Sequence, residues 1–339
     1  MHFSKVTAKS AQAILKEIKK SKNILLHLHP SPDGDSVGST LAMYHFLKNI
    51  GKKVTLIKGD SSLPQYLSSL PGFQKISKKN FFQIDLNKFD LFLILDASSK
   101  SRISQTQKII FPKKLITIVI DHHPFEGKFT DISLTNTSSS ATCQLVYKLF
   151  QEWKAKITPK IAINLFIGIF HDTGGFKYFP MDYNSFNIIS KLSKICPNFT
   201  DYIFEMENNN KPEEIFFKAL ALNSLKMYFK NNVVISALSL KKLQKNKLQH
   251  ANKSNISNIL KSVTGWNIGI CIVEVEPNLC NLSMRTRDPK KYNLSKIATA
   301  LGGGGHPAAA GAQIKKSLPQ TIKFILKTIQ SLHPSLGQP

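Results

Sequence analysis

The stretch NILLHLHPSPDGDSVGS, residues 23–39, joins a strand-like apolar run to two histidines and two closely spaced aspartates. Similar short runs rich in Ile, Val, Leu and Phe follow at 53–59, 90–98 and 115–123. Helical periodicity occurs at 36–50, 139–153 and 158–170. Apolar strands without alternation, separated by helices, indicate a parallel sheet that is covered on both faces. We therefore predict an α/β fold for this part of the chain.

Polar residues that can bind ligands follow three of these strands. The carboxyl ends of parallel strands meet at one edge of a sheet, and ligands gather there. A further acid, Asp172, follows an apolar helix and precedes a glycine pair that would turn the chain. We therefore expect one cluster at this edge, made of His29, Asp33, Asp35, Asp96, Asp121, His122, His123 and Asp172.

Such a cluster of carboxylates needs a cation. Neighbouring carboxylates repel one another, which raises their pKa values and destabilises the fold unless positive charge compensates. Mixed carboxylate and imidazole ligands suit Mn²⁺, Mg²⁺ or Fe²⁺, whereas zinc favours thiolates. About six ligands suffice for two ions roughly 3.5–4 Å apart that share a carboxylate and a bridging water. The sequence therefore predicts a dinuclear site that holds two Mn²⁺, Mg²⁺ or Fe²⁺ ions.

New strand and helix signals begin after a polar stretch that contains Pro and Asn. Strand-like runs lie at 233–240 and at 266–287, and the second run has a turn in its middle that is typical of a hairpin. A helix at 293–301 leads into GGGGHPAAAG at 302–311, and a further helix is predicted at 318–332. This pattern indicates a second, smaller α/β domain.

The length of 339 residues suits two domains. We predict a catalytic metal-binding domain at 1–195, a linker at 196–225 and a substrate-binding domain at 226–339, with the active site in the cleft between the two domains. Glycines in the run 302–305 give the backbone close approaches that side chains would block, and their N–H groups would suit a phosphate.

Composition narrows the range of partners and compartments. The net charge of +25 attracts polyanions such as nucleotides and RNA. No apolar stretch approaches the ~20 residues that cross a bilayer, and the N-terminus is typical of an amphipathic helix rather than a signal peptide. The four cysteines are scattered without CxxC spacing, as is typical of reduced core thiols. We expect a cytoplasmic protein without stable membrane insertion.

Five motifs carry a family resemblance. HPSPDGDSVGS, LDAS, DHH and HDTGGF, in this order, resemble the motifs of the DHH phosphoesterase superfamily. GGGGHPAAAG resembles the GGGH motif of the DHH-associated domain in the nano-RNase and pAp-phosphatase branch of that superfamily. The agreement of five motifs in order and spacing, over residues 20–315, makes the resemblance specific.

The resemblance implies how the metals are held. His29 and Asp33 would hold one ion, and Asp96 would bridge the two ions. The second ion would be held by Asp35, His122 and Asp172. Alternate residues of an extended turn point in different directions, so Asp33 and Asp35 can each face a different ion.

The resemblance also implies which residues act on the substrate. His123 would face the substrate phosphate, and Asp121 would orient the histidines. His171 stands where the family often has Thr, and we expect it to cap a turn rather than to add a polar contact near the second metal. In the second domain, the residues implied in substrate binding are Arg285, Gly302, Gly303, Gly304, Gly305 and His306.

The implied activity is manganese-dependent hydrolysis of short oligonucleotides (nanoRNA or pApA) to mononucleotides, of pAp to AMP, or of both. The nucleophile would be a hydroxide that the two metals activate, and relatives imply a homodimer. The main alternative is a cyclic di-AMP phosphodiesterase. A manganese pyrophosphatase would lack the GGGH motif, and a RecJ-like DNA exonuclease would usually be longer. An alternative from another class is a non-catalytic RNA-binding protein, which phosphate release with and without Mn²⁺ would distinguish from an enzyme.

Overall fold

The computed structural model describes residues 1–125, 127–177, 180–208, 211–249 and 255–338. The chain divides into two units, Met1–Asn209 and Asn210–Pro339. Both units combine helices with a sheet, so the predicted two-domain α/β fold is confirmed. None of the helices in the described ranges has the length and apolar character needed to cross a membrane.

The apolar runs of the first unit form a parallel sheet. Its strands in the described residues are β1 His2–Phe3, β2 Asn23–His27, β3 Lys53–Ile57, β4 Leu91–Leu95, β5 Ile116–Asp121 and β6 Ile132–Thr135. Their order is β1-β6-β5-β4-β2-β3, and each neighbouring pair is parallel. Strands β2 and β4 are neighbours, although β3 lies between them in the chain. Ligand sites of open α/β sheets lie at such a switch point, beyond the carboxyl ends of the strands.

Helices cover one face of this sheet. Those of the first unit, within the described residues, are α1 Ala8–Lys20, α2 Gly34–Asn49, α3 Thr142–Glu152, α4 Pro159–Asp172, α5 Tyr183–Ile195 and α6 Phe199–Glu207. Buried side chains of α1 to α4, such as Ile14, Leu41, Val146 and Leu165, share one core with Leu26 and other residues of the strands. The core therefore fixes the helices on the strands that precede the predicted ligands.

The opposite face of this sheet is covered by another kind of structure. Short 3₁₀ helices and irregular segments, rather than α-helices, pack there around Phe81, Phe92, Ile103 and Val119. The connection from β3 to β4 contains Pro and Gly within PQYLSSLPGF, and these residues interrupt regular helices. Both faces are thus covered, but by different kinds of structure.

Glycines allow α2 and α4 to pack closely. A Cβ atom on Gly38 would lie 2.4 Å from the carbonyl oxygen of Asn164, and one on Gly34 would lie 2.4 Å from Cβ of His171. The start of α2 therefore lies against the end of α4. This packing brings the first turn of α2, which contains Asp35, close to the last residue of α4, Asp172.

The second unit has a mixed sheet. Its described elements are α7 Pro212–Leu222, β7 Leu225–Tyr228, β8 Val233–Leu238, α8 Leu240–Lys245, α9 Ile256–Ser262, β9 Ile268–Glu276, β10 Leu279–Thr286, α10 Leu294–Ala300, β11 Gly304–His306, β12 Ala309–Ile314 and α11 Leu318–Leu332. The strand order is β11-β12-β10-β9-β8-β7. The β8–β9 pair is parallel and the other pairs are antiparallel. Strands β9 and β10 form the predicted hairpin.

The range 196–225, which we predicted to be a linker, is largely helical where it is described. Helices α6 and α7 occupy most of it, and residues 209–210 lie outside the described residues. Pro212 is the first residue of α7, and Asn198 precedes α6 as its N-cap. Proline and asparagine here mark helix ends, because both residues are favoured at helix N-termini.

The α2–α4 contact predicts the effect of one added methyl group. Gly38→Ala should destabilise the protein by about 1–3 kcal/mol, because the methyl group would displace the backbone of α4. The melting temperature should fall by about 2–4 °C for each kcal/mol. Asn49→Ala, at an exposed position of the same helix, is the matched control and should change little. A Gly38→Ala protein that melts at or above the wild-type temperature would show that α2 and α4 tolerate separation.

Candidate metal centre

The two aspartates after β2 have different surroundings at the start of α2. Asp33 is the N-cap residue, and its Oδ1 atom accepts hydrogen bonds from the N–H groups of Asp35 and Ser36, both at 3.0 Å. Asp35 is fully buried. Its carboxylate accepts hydrogen bonds from the first N–H groups of α3, those of Thr142 at 2.6 Å and Cys143 at 2.9 Å. The two carboxylates therefore face different partners, although one residue separates them.

The predicted strand-edge residues form three overlapping groups. Within each group, the potential ligand atoms lie within 4.8 Å of one another. The groups are His29, Asp33 and Asp96; Asp35, His122 and Asp172; and Asp96, Asp121, His122 and His123. We call these eight residues together the acidic cluster. Asp96 and His122 each belong to two groups, so the groups form one continuous site.

Asp96 lies at the centre of the acidic cluster. Its Oδ2 atom is 3.3 Å from His29 Nε2, and its Oδ1 atom is 3.4 Å from His123 Nδ1 and 3.8 Å from His122 Nε2. Oδ1 also accepts a hydrogen bond from Thr142 Oγ1 at 3.2 Å. The backbone of Asp96 is left-handed, with φ of 54°, which is a strained conformation for a residue other than glycine. Asp96 thus connects the histidine after β2 with the histidines after β5.

His122 faces the carboxylates through a defined nitrogen atom. Its Nδ1 atom lies 3.3 Å from the carbonyl oxygen of Ser139, which can only accept a hydrogen bond. In the neutral ring, Nδ1 therefore carries the proton and Nε2 has the lone pair. Nε2 lies 3.3 Å from Asp172 Oδ2 and 3.8 Å from Asp35 Oδ2. A lone pair directed at two carboxylates is the arrangement of a metal ligand.

A divalent cation fits these donors. Among the described residues, no hydrogen bond reaches the buried Nε2 atoms of His29 and His122. Each of these nitrogens instead lies 3.3 Å from a carboxylate oxygen, of Asp96 or of Asp172. A cation between the nitrogen and the oxygens would be attracted to both. Carboxylate and imidazole donors together suit Mn²⁺, Mg²⁺ or Fe²⁺.

Three carboxylates of the cluster, those of Asp35, Asp96 and Asp172, have perturbed pKa values. Burial, followed by the charge of Asp35, raises the pKa of Asp172 to about 9. Burial, followed by the charge of Asp96, raises the pKa of Asp35 to about 6. Burial also disfavours the charge of Asp96, but the attraction of the nearby His123 and His29 rings outweighs it and holds the pKa of Asp96 well below the usual value. Without a cation, protons therefore offset part of the negative charge.

Asp121 holds His123 in one orientation. The fully buried Asp121 accepts hydrogen bonds from both the N–H group and Nδ1 of His123, each at 2.8 Å. Burial lowers the pKa of His123, but the hydrogen bonds to Asp121 and then Asp96 outweigh it and raise the pKa to about 10. His123 is therefore a protonated, positively charged ring at neutral pH.

Several residues near the acidic cluster were missing from the sequence-based prediction. Arg102 contacts Asp96 with its guanidinium group. His171 does not cap a turn with its side chain: Nδ1 accepts a hydrogen bond from the N–H of Gly34 at 3.4 Å, and Nε2 lies 3.3 Å from the hydroxyl of Tyr66. The only sequence signal for Arg102 is its position shortly after a strand that ends on a ligand. Tyr66 lies in a 3₁₀ helix without a recognisable motif.

In the second unit, two of the predicted substrate-binding residues share one face of the sheet. Arg285 pairs with Ala309, and Ala309 pairs with His306. Directly opposed residues of antiparallel strands point to the same face, and neighbouring strands lie ~4.8 Å apart. Arg285 and His306 therefore stand on either side of a small methyl group. Asn258 accepts a hydrogen bond from Arg285 Nε at 3.1 Å and holds its guanidinium.

The first two glycines of the run 302–305 belong to the end of helix α10 rather than to an open phosphate-binding loop. Gly302, with φ of 79°, ends α10, and its N–H donates to Thr299 O at 3.0 Å. The N–H of Gly303 donates to Ala298 O at 2.7 Å, which completes a helix C-cap. The expectation that these N–H groups stay available for a phosphate is therefore wrong at Gly302 and Gly303. Gly304 and Gly305 belong to β11, beside His306.

Comparisons with known protein families find the same two parts. The N-terminal domain of the DHH family matches residues 23–169, and the DHHA1 domain matches residues 230–333. The chain is 27% identical to the bifunctional oligoribonuclease and PAP phosphatase NrnA of Mycoplasma genitalium over 318 residues, 92% of this chain and 95% of that protein. The predicted family resemblance is thereby confirmed.

Solved structures show the same fold. An exopolyphosphatase-related protein from Bacteroides fragilis has a TM-score of 0.88, with 24% identity and 98% of each chain covered. RecJ from Thermus thermophilus, in complex with Mn²⁺, has a TM-score of 0.51 and 12% identity over 98% of this chain and 55% of that one.

The raised pKa of Asp172 predicts how stability depends on pH in the metal-free protein. Between its ordinary pKa of 3.8 and its folded value of about 9, the folded chain binds more protons than the unfolded chain. Its contribution to stability therefore falls as the pH rises through this interval. With EDTA present, the melting temperature of Asp172→Asn should fall less between pH 6 and pH 9 than that of the wild type. Parallel melting curves of the two proteins across this range would contradict the assignment.

Proposed function

We propose that this hydrolase, which contains a DHH domain and a DHHA1 domain, hydrolyses short oligoribonucleotides, including pApA, to mononucleotides and pAp to AMP. The observation that carries this proposal is the continuous set of three carboxylate–imidazole groups, in which Asp96 and His122 each belong to two groups. A relative with the same domains, similar over most of its length, is named an oligoribonuclease and PAP phosphatase. The net charge of +25 supports an anionic substrate.

Two divalent ions are part of the proposal, with Mn²⁺ preferred and Mg²⁺ or Fe²⁺ as alternatives. His29 and Asp33 would hold one ion, and Asp96 would contact both ions. Asp35, His122 and Asp172 would hold the other ion. When bound, the ions would activate water and offset charge on the phosphate.

His123 would stabilise charge on the phosphate that is hydrolysed. Its Nδ1 is bonded to Asp121 at 2.8 Å, so the other side of the ring, with Nε2, is directed away from Asp121. At neutral pH both nitrogens carry protons, because the pKa is raised to about 10. An imidazolium held in one orientation can donate a hydrogen bond to a phosphoryl oxygen without reorganising.

The second unit would bind the remainder of the nucleotide. Arg285 and His306 lie on one face of its sheet with only the methyl group of Ala309 between them in register. A phosphate would lie beside these two side chains, since the arginine fork matches phosphate geometry. Gly304 and Gly305 in β11 would allow a ligand to approach the backbone closely. Binding at both ends would favour very short substrates.

A reducing compartment fits the thiols. All four cysteines are buried, including Cys271 and Cys280 on the β9–β10 hairpin. Structural disulfides are rare in the cytoplasm, where thiols stay reduced. The proposal therefore places the protein in the cytoplasm and includes the homodimer that the family resemblance implies.

A substrate panel tests the proposed activity. The full chain with Mn²⁺ should release mononucleotides from pApA and from RNAs of two to five residues, and AMP from pAp. The value of kcat/KM should be higher for the dinucleotide than for an RNA of about 24 residues, because the long RNA cannot be bound at both ends. EDTA should lower turnover by about 100-fold or more, since the electrostatic contribution of the ions is lost.

The control for this panel is His122→Ala, which removes one ligand at the carboxyl end of β5. It should abolish turnover while its melting temperature in EDTA stays close to that of the wild type. Equal kcat/KM for the dinucleotide and the long RNA would contradict the short-substrate proposal. A preference for cyclic di-AMP over pApA and pAp would assign the site to the alternative activity instead.

A further inference from the structure

Arg102 is a cation at the acidic cluster that has no assigned role. It is the last residue of a 3₁₀ helix, Lys100–Arg102, that follows Asp96 in the loop after β4. Its Nε donates to the carbonyl oxygen of Asp96 at 3.3 Å, and its Nη2 lies 3.7 Å from Asp96 Oδ2. Among the ion pairs of the described residues, it is the one arginine or lysine that reaches a carboxylate of the cluster.

The loop around Arg102 is fixed by hydrogen bonds. The N–H of Arg102 donates to Ser99 O at 3.1 Å. Asp60 accepts hydrogen bonds from the hydroxyl of Ser104 at 2.8 Å and from the N–H of Gln105 at 2.7 Å. These contacts hold the loop on both sides of the guanidinium. The group is therefore positioned before any ligand arrives, which reduces the entropy lost on binding.

The contacts with Asp96 leave donors of Arg102 for another anion. A separation of 3.7 Å is too long for a hydrogen bond, so the carboxylate of Asp96 does not use Nη2 as a close donor. His29, His123 and Thr142 already approach that carboxylate more closely. A guanidinium group has five N–H donors, and this side chain is 29% exposed. Its fork can therefore bind a second anion beside Asp96.

Arg102 and His123 approach the same carboxylate. Arg102 approaches Oδ2 of Asp96, whereas His123 approaches Oδ1. A phosphate bound beside Asp96 would therefore lie near both side chains.

We propose that Arg102 is a substrate-binding residue that donates hydrogen bonds to the phosphate at the acidic cluster, beside Oδ2 of Asp96. This inference rests on the proposed function, since it assumes that the cluster binds a phosphate. Arg102 would contribute to phosphate affinity, and its planar fork would make two contacts where a lysine makes one.

Arg102→Gln, Arg102→Lys and Lys100→Gln separate this role from general charge effects. Lys100 lies in the same 3₁₀ helix, and Lys100→Gln removes the same positive charge as Arg102→Gln. The Nζ atom of Lys100, however, donates to Ile109 O at 3.2 Å and lies over the ring of Phe111. The binding of AMP and of adenosine to the full chain with Mn²⁺ is measured by calorimetry. The number of bound Mn²⁺ ions and the melting temperature are measured for each variant.

Arg102→Gln should raise the Kd for AMP by about 10- to 100-fold, as expected for a lost charged hydrogen bond. Its Kd for adenosine, its Mn²⁺ binding and its melting temperature should match the wild type. The Kd of Arg102→Lys for AMP should lie between those of the wild type and of Arg102→Gln. Lys100→Gln should bind AMP as the wild type does.

Equal AMP affinity in Arg102→Gln and Lys100→Gln would overturn the inference. Loss of Mn²⁺ in Arg102→Gln would also overturn it, because Arg102 would then support Asp96 rather than the substrate. If the wild type hydrolyses none of the short substrates but its AMP binding still depends on Arg102, the proposed activity fails and the phosphate contact stands.

Discussion

The repulsion between buried carboxylates is the constraint on which this structure depends. The sheet brings five aspartates together at one edge: Asp33, Asp35, Asp96, Asp121 and Asp172. The first two accept hydrogen bonds from helix N-termini, which favour negative charge, and Asp121 is paired with a protonated His123. Asp172 instead has its pKa raised to about 9 by burial and by its acidic neighbours. The protein's own groups compensate the negative charge of the cluster only in part. The remaining negative charge would attract divalent cations.

Two features of the backbone make this crowding unavoidable. Strands β2 and β4 are neighbours at the switch point of the sheet, so the loop after β2 and Asp96 after β4 leave the same edge side by side. The glycine contacts between α2 and α4 place the start of one helix against the end of the other. Any displacement of α2 would therefore change the separation of Asp35 and Asp172. The packing of the core and the geometry of the site are set by the same contacts.

The acidic cluster could be located from the sequence because parallel strands place their ends at a common edge, whatever the path of the chain between them. Contacts that depend on the paths of loops could not be predicted in this way. Arg102 reaches Asp96 through a short 3₁₀ helix, and Tyr66 reaches His171 from the irregular segment after β3. The glycine run was misjudged at its first two residues, because the end of a helix requires the same backbone freedom as a phosphate loop. Pro212 and Asn198 mark helix ends, although proline and asparagine are also typical of linkers.

The most direct test of the account is a crystal structure of the full chain soaked in Mn²⁺, with anomalous scattering used to locate the ions. The account predicts two peaks per chain with Asp96 contacting both, His29 and Asp33 on one ion, and the residues Asp35, His122 and Asp172 on the other. A single peak, or two peaks that do not share Asp96, would contradict the claim that the cluster is a dinuclear centre. The absence of any peak would show that protons alone balance the buried charge.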